Sequence, residues 1–470
     1  MKSFPLHVII LAAGQGTRMK SRLPKVLHEV GGRPMLAHVL ETAQALLATG
    51  RHVVVGHGAD EVHGRFFSST ATDRSLHWAL QREQKGTGHA VQQAMNAVPE
   101  DAQVLVLFGD VPLVQANTIA PLLRHRGLAL LTARVPDPAG YGRILRDNDG
   151  AVTGIVEERD ASAAQQTIDE INTGILCVPA RLLRRWLGRL KNRNAKGEYY
   201  LTDVVAMAVQ DGVGVATHVV QDVEEVMGVN DRAQLARAER LFQRRQADNL
   251  MRQGLTLRNP ELFELRGSLE FGIDVVIDVG VVIEGKVQLG DGVYIGPYSV
   301  IRDSRIGANS RIESHSVLDS AVVGRQCRVG PYARLRPETV LADEVHVGNF
   351  VEVKKVTIGR GSKANHLAYL GDGAVGANVN IGAGTIFCNY DGFLKHRTDV
   401  GAGAFVGSNS ALVAPVRIGD GAFVGSGSVI TKDVPADALA LERSEQRVIE
   451  SWAAKFRTMM ARKKAAKSGK

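Results

Sequence analysis

Cysteine is scarce: Cys177, Cys327 and Cys388 are the only three in 470 residues, and their spacing suggests neither pairing nor a metal-ligand motif. A disulfide framework is therefore not expected, and a reducing cytoplasm suits the chain. Long apolar runs are missing too. No stretch approaches the roughly 20 apolar residues that a membrane span needs. The apolar run from Val8 to Ala13 is cut short by Gly14 and Gly16 and follows a start with little charge, so it does not read as a secretory signal. The formal charge of +8 would suit a nucleic-acid binder, yet no nucleic-acid motif accompanies it. Much of the excess lies in Arg462, Lys463, Lys464, Lys467 and Lys470, which read as a solvated, disordered tail. The expectation is a soluble cytoplasmic protein with neither nucleic acid nor membrane as partner, whose remaining basic charge suits phosphorylated small substrates.

What is present is a beat of six. Val400, Val406, Leu412, Ile418, Val424 and Ile430 keep it without error, and Gly401, Gly407, Gly419 and Gly425 follow four of them. Leu289, Ile295 and Ile301 show it earlier, and Ile306 and Ile312 resume it after a one-residue slip. Six is the period of neither a helix nor a simple strand; it is that of the hexapeptide repeat, in which stacked coils bury one aliphatic residue per face. Residues 254–441 are therefore expected to form a left-handed parallel β-helix of about ten coils. The beat fails between Ile381 and Val400, where the separation is not a multiple of six, so residues 388–399 are expected to loop out, carrying Asn389, Tyr390, Asp391 and Gly392.

Residues 1–230 instead alternate apolar strand-like runs with helical stretches, as an α/β Rossmann-like domain does. Residues 231–253 hold Leu235, Ala238, Leu241, Phe242 and Leu250 at rough helical spacing, either a linker helix or a helix packed on the first domain. Residues 442–470 read as a short amphipathic helix, with Trp452, Phe456 and Met459, before the basic tail.

Within the first domain an apolar strand from His7 to Leu11 runs into Ala12, Ala13, Gly14, Gln15, Gly16, Thr17 and Arg18. Small residues there let backbone N–H groups approach phosphate oxygens, and Lys25, after Leu23 and Pro24, could neutralise a transferring phosphoryl group. The pattern lacks the third glycine of a dinucleotide fingerprint and the Gly-Lys-Ser/Thr of a Walker loop. A tight turn with a surface lysine is the alternative. A second strand ends at Phe108, Gly109 and Asp110, where a carboxylate either holds Mg²⁺ at the ligand edge of the sheet or caps a turn. In the solenoid, Arg336 and Lys354 stand one coil apart, near Arg334 and Lys355, and form a phosphate site or a solvated face. His366 is either a structural histidine or a proton acceptor, since an unperturbed imidazole titrates near roughly 6.5.

These residues carry a resemblance. Leu11 to Arg18 with Leu23, Pro24 and Lys25 resembles the signature of sugar-phosphate nucleotidyltransferases, and Gln81 with Gln84 to Ala90 resembles their base- and sugar-reading loop. Gly140 to Arg143, Val156-Glu157, Glu170 to Gly174 and Gly228 to Asn230 are similar, in order, to the uridyltransferase half of the bacterial bifunctional N-acetylglucosamine-1-phosphate uridyltransferase and glucosamine-1-phosphate N-acetyltransferase family. The stretch 331–391 is similar to its acetyltransferase half.

The resemblance implies a site residue by residue. Leu11, Ala12, Ala13 and Gly14 would line the UTP site, with Arg18 and Lys25 on the triphosphate. Gln81, Gly86 and Thr87 would face uracil; Phe108 and Gly109 would lie beside Asp110; and Gly142, Glu157 and Asn172 would hold the N-acetyl sugar. Asp110 and Asn230 would hold Mg²⁺. Members commonly have Tyr where this chain has Phe108. In the second half His366 would be the catalytic base, oriented by Glu352, with Arg336, Lys354, Tyr369 and Asn380 on the sugar phosphate. Asn389 and Tyr390 would join from the loop, and Ala383, Ser408, Ser426 and Arg443 would line the acetyl-CoA site, Ser426 replacing an Ala of some relatives. The implied function is acetyl transfer from acetyl-CoA to glucosamine-1-phosphate, then uridylyl transfer from UTP with release of pyrophosphate, in a homotrimer. The competing reading keeps the nucleotidyltransferase and makes the β-helix an assembly or regulatory module.

Overall fold

The computed structural model describes residues 4–70 and 73–468; Lys470, counted above with the basic tail, lies outside them. The chain divides into two compact units, one reaching Arg252 and including Phe263–Gly267, the other formed by Gln253–Leu262 and the chain from Ser268 onward.

The first unit is a twisted sheet covered on both faces. Its main strands run in the order Val215–Val219, Leu128–Arg134, Glu170–Pro179, Gln103–Phe108, Leu6–Ala12, Gly50–Val55, Leu76–Leu80. Leu6–Ala12 pairs parallel with both its neighbours, whereas Glu170–Pro179 runs antiparallel between its own. The central strands read as continuous apolar runs because both faces are buried. One face packs under the helices Met35–Ala45 and Ala59–Thr70. The other packs under Thr87–Met95, Ala180–Leu187 and Asp203–Gln210. The loops that follow Ala12 and Phe108 leave the carboxyl ends of adjacent parallel strands, the edge where open α/β sheets bind ligands. The helix Arg232–Arg252 lays Leu235, Ala238, Leu241 and Phe242 on Val30, Met35, Leu113 and Val229, so it is docked on the body of this unit.

In the second unit short strands stack in parallel columns on three faces. One column holds eleven strands, from Thr256–Leu257 to Leu439–Ala440. Each strand sends one aliphatic residue inward, and Ile277, Ile295, Ile312, Val329, Val347, Val406 and Val424 are all buried, the hexapeptide-repeat β-helix that the beat of six implies. The register also explains the slip in the beat: Ile277 pairs with Ile295, but Ile295 pairs with Ile312 and Ile312 with Val329, so some coils are one residue shorter than three hexapeptides. At the corners buried hydroxyls satisfy carbonyls of the next coil, as Ser310 does with Gly324 O at 2.7 Å and Ser362 with Gly376 O at 2.7 Å.

Two expectations change. The excursion after Ile381 is shorter than 388–399, because Cys388 still pairs with Val413 and Asp399 with Ala374; only the residues between the strands Ile386–Cys388 and Thr398–Val400 leave the stack. The basic residues Arg462, Lys463, Lys464 and Lys467 are helical rather than disordered, part of Trp452–Ser468, whose Ala, Lys, Arg and Met content favours a helix.

Candidate functional sites

In the first unit the glycine loop positions a lysine. Gly16 has φ +62, and a Cβ there would stand 2.7 Å from Lys25 Cβ, so only glycine lets the loop close over the lysine stem. The Lys25 ammonium donates to the Asp110 carboxylate and, at 3.1 Å, to Asn230 Oδ1. Three residues expected at one site from distant parts of the sequence therefore converge. Asp110 is fixed from behind, its carbonyl accepting the Val229 N–H at 2.9 Å, while Asn230 N–H donates to Gln234 Oε1 at 2.7 Å. Asp110 and Asn230 thus offer two oxygens to one centre, the donor type that a hard divalent cation prefers. Among the described residues no group of three or more His, Cys, Asp or Glu could hold a metal, so further ligands to an ion here would come from substrate or water.

Arg18 is exposed at the loop. It stands close enough to Tyr141 to act on its phenol, which burial first and then the Asp110 charge push upward and Arg18 pulls back down. Tyr141 therefore joins the phosphate end to the next group of residues, and the motif reading gave it no role. Its neighbour Gly142 is buried; Gly142 O accepts the Asn172 N–H at 2.8 Å, and Asn172 Oδ1 accepts the Gly174 N–H at 3.0 Å. Glu157 lies beside Gly142 and accepts the Thr202 hydroxyl at 2.9 Å. The Phe108 ring packs so closely on Gly174 that a Cβ there would come within 2.4 Å of its Cε2, so ring packing accounts for an aromatic at this position without a hydroxyl.

Gln81 is buried, and its amide nitrogen contacts Gly86 O at 3.2 Å and His89 Nδ1 at 3.0 Å. Gly88 N–H donates to Tyr199 O at 2.8 Å, and the Thr87 hydroxyl accepts the Leu201 N–H at 3.0 Å, so the segment is clamped against residues 199–201. Leu11, Ala12 and Ala13 are buried under the loop, Gly14 is exposed, and Gly109 donates its N–H to Leu11 O at 2.9 Å.

In the second unit His366 is exposed and its Nδ1 is 2.7 Å from Asn349 Oδ1, one coil earlier and directly paired in register. An amide oxygen accepts, so Nδ1 carries the proton and Nε2 keeps its lone pair. The orienting partner is therefore Asn349 and not Glu352, whose carboxylate is taken by Arg336 at 2.9 Å and Arg334 at 3.7 Å. Asn349 could have been found from spacing alone, since seventeen residues is one short coil.

His366 also belongs to a column. The N–H that follows each of His366, Ala383, Ser408 and Ser426 bonds the carbonyl of the member before it: Leu367 to Asn349, Gly384 to His366, Asn409 to Ala383 and Gly427 to Ser408, at 3.1, 3.4, 2.7 and 2.8 Å. Arg443 donates to Ser426 O at 2.9 Å at its far end. The expected base and the expected CoA residues thus line one corner. On an adjoining face Arg336 N–H bonds Val353 O, and Glu352 and Lys354 pair with Tyr369 and Gly371, which brings Arg336, Lys354 and Tyr369 onto consecutive coils. Asn380 pairs with Lys363 on the strand column that holds His366. At the root of the loop Asn389 is buried and donates to Asp372 and, at 3.4 Å, to the Tyr369 hydroxyl. The Asp391 carboxylate knots the loop by accepting from the N–H groups of Leu394 and Phe393 and from His396; the Leu394 N–H first, then His396, hold it far below the usual carboxylate range. Tyr390 and Leu394 are exposed, and Phe393 is 91% exposed.

Residues 8–197 match the MobA-like NTP transferase domain, 267–364 the GMPPB C-terminal domain, and 397–432 six repeats of the bacterial transferase hexapeptide. A nucleotidyltransferase sheet and a hexapeptide transferase solenoid in one chain define a transferase with two separate sites. Relatives named Bifunctional protein GlmU align along almost the whole chain: that of Alkalilimnicola ehrlichii is 58% identical over 95% of this chain and 96% of its own. Those of Marinobacter nauticus and Stenotrophomonas maltophilia are 53% and 54% identical, each over 95% of this chain and 98% of its own. The chain belongs to the bifunctional GlmU family. Among the described residues no helix is long and apolar enough to cross a membrane.

Proposed function

We propose that the chain makes UDP-N-acetylglucosamine in two steps, in the cytoplasm and as a homotrimer. The solenoid acetylates glucosamine-1-phosphate with acetyl-CoA, and the sheet domain joins the product to UTP.

For the first step the observation that carries the reading is the exposed His366 ring, held through Nδ1–H in one column with Ala383, Ser408 and Ser426. The 2-amino nitrogen of the sugar attacks the thioester carbonyl, the C–S bond breaks, and the proton lost by nitrogen passes to Nε2 and on to the CoA thiolate. General-base assistance of this kind contributes about 10² to 10⁴ in rate. Arg336, Lys354, Tyr369 and Asn380 would hold the sugar phosphate, with Asn389 and Tyr390 reaching in from the loop. Ala383, Ser408, Ser426 and Arg443 would hold CoA.

In the second step the phosphate oxygen of N-acetylglucosamine-1-phosphate attacks the α-phosphorus of UTP in line with the departing pyrophosphate. No enzyme nucleophile is needed, so positioning and charge neutralisation provide the acceleration. Arg18 and Lys25 would hold the triphosphate, beneath the backbone of Leu11 to Gly14. Gln81, Gly86 and Thr87 would read uracil, while Gly142, Glu157 and Asn172 would hold the acetylated sugar beside Phe108 and Gly109. Mg²⁺ would be held by Asp110 and Asn230 and, when bound, supplies further charge neutralisation at the phosphates. Lys25 must then release those two oxygens and turn toward phosphate, for which its flexible stem is suited.

The test is incubation with glucosamine-1-phosphate, acetyl-CoA, UTP and Mg²⁺, omitting each donor in turn, for the native chain and for His366→Ala. Expected are N-acetylglucosamine-1-phosphate without UTP, the nucleotide sugar with both donors, and no acetylation by the variant. Undiminished acetylation by His366→Ala would remove His366 as the base, and no acetylation by the native chain would leave the solenoid as an assembly module only.

A further inference from the structure

Among the described residues Arg143 is the one arginine of the first unit whose side chain is fully buried, 1% exposed, and it follows Gly142 and pairs with Ile171, the neighbour of Asn172. Isolated buried cations are costly, so such a group is retained where its hydrogen bonds hold something in place. Its contacts go to three segments. One amino group donates to Tyr141 O; the other forms an ion pair with Glu158 at 2.7 Å and donates to Gln166 O at 3.4 Å, while Nε is buried without a partner among the described residues. Two of these anchors are immediate neighbours of sugar-site candidates: Tyr141 precedes Gly142, and Glu158 follows Glu157. The third candidate is tied to the same point through the backbone, because Ile171 pairs with Arg143 and the Asn172 N–H donates to Gly142 O.

We infer that Arg143 is a positioning residue for the acetylated sugar-1-phosphate: it reaches no substrate itself, but its side chain fixes Gly142 and Glu157 by holding the loop before the first and the turn after the second, and Asn172 follows through its backbone bond to Gly142. The inference rests on the proposed uridylyl-transfer reading. It also predicts a selectivity. The triphosphate group of Lys25, Asp110 and Asn230 makes none of these bonds, so loss of Arg143 acts on the sugar and leaves the nucleotide.

Arg143→Lys keeps the charge but replaces a planar fork by a point donor, which cannot serve carbonyls on two segments and a carboxylate together. In the full-length enzyme the KM for N-acetylglucosamine-1-phosphate should rise about tenfold, the size expected for one buried acceptor left unpaired. The KM for UTP should stay within about twofold of native, a change too small to report a lost hydrogen bond. Arg146→Lys is the comparison, because Arg146 lies on the same strand, pairs with Glu170 and touches none of the three anchors; it should leave both constants near native. If Arg143→Lys does not fold, Glu158→Gln, altered on a partly exposed side chain, should give the same selective rise at about threefold. An unchanged sugar KM, a UTP KM that rises equally, or an equal effect of Arg146→Lys overturns the inference. Failure of the native enzyme to join UTP and N-acetylglucosamine-1-phosphate would instead remove the reading beneath it.

Discussion

Three histidines side by side on the first sheet make its stability depend on acid. His7 Nδ1 and His52 Nε2 are 2.9 Å apart, and the His52 ring stacks on His7 and His77 at 5.2 and 5.0 Å. His52 is 1% exposed, and burial first, then the charges of His7 and His77, lower its pKa to about 4. Burial and His77 lower His7 too, against a raising effect of Asp101. A His52 pKa of about 4 against the ordinary 6.5 corresponds to about 3 kcal/mol. Because the folded value is the lower, the unfolded chain binds more protons between the two. This stability is therefore complete above pH 6.5 and is lost as the pH falls toward 4. His52→Phe keeps a ring in the stack and removes the titration, at a pH-independent cost of about 1 kcal/mol for the hydrogen bond to His7. With Trp452 changed to Phe in both proteins, the remaining Trp78 and Trp186 report on the first unit alone. Urea unfolding followed by their fluorescence at pH 7, 6, 5 and 4 should show the variant less stable than the parent at neutral pH and gaining on it by about 3 kcal/mol by pH 4. Parallel stability profiles would refute the argument, since every other histidine of the unit is common to both.

Removing the Asn349 amide frees the His366 ring without touching its basicity directly, so Asn349→Ala should lower the kcat of acetyl transfer about tenfold and leave uridylyl transfer at its native rate in separate assays of the two steps. Asp110→Ala removes one of two converging oxygens; uridylyl transfer should fall at least about a hundredfold, with the remainder needing more Mg²⁺, while acetylation is unchanged in the same preparation. Gly174→Ala puts a Cβ within 2.4 Å of the Phe108 ring at a backbone φ of +83 and should lower the urea midpoint of the first unit, by about 1–3 kcal/mol in stability. A midpoint equal to the native one would show that Phe108 moves freely.

The solenoid was legible because its period is a geometric constraint: each coil must return one aliphatic residue to the same column, so Val400 to Ile430 spell the architecture directly. The sheet domain was legible through continuous apolar strands that run into the loops of Gly14 and Asp110, where strand ends and ligand sites coincide in this class of fold. Less legible was the choice between two acceptors for the His366 ring, which only the spacing separates. Glu352 and Asn349 both stand within a coil of His366, and charge favours the carboxylate as orienting partner. Which one reaches the ring is decided by register: with seventeen residues to the coil Asn349 stands opposite His366, whereas Glu352, fourteen residues before it, stands opposite Tyr369. Glu352 is then claimed by Arg336, and a neutral amide is left to hold the His366 ring. That exchange matters chemically. An amide oxygen on Nδ1–H fixes the tautomer and the ring's orientation without placing a second charge beside it, and leaves Nε2 as the ring nitrogen with no partner among the described residues.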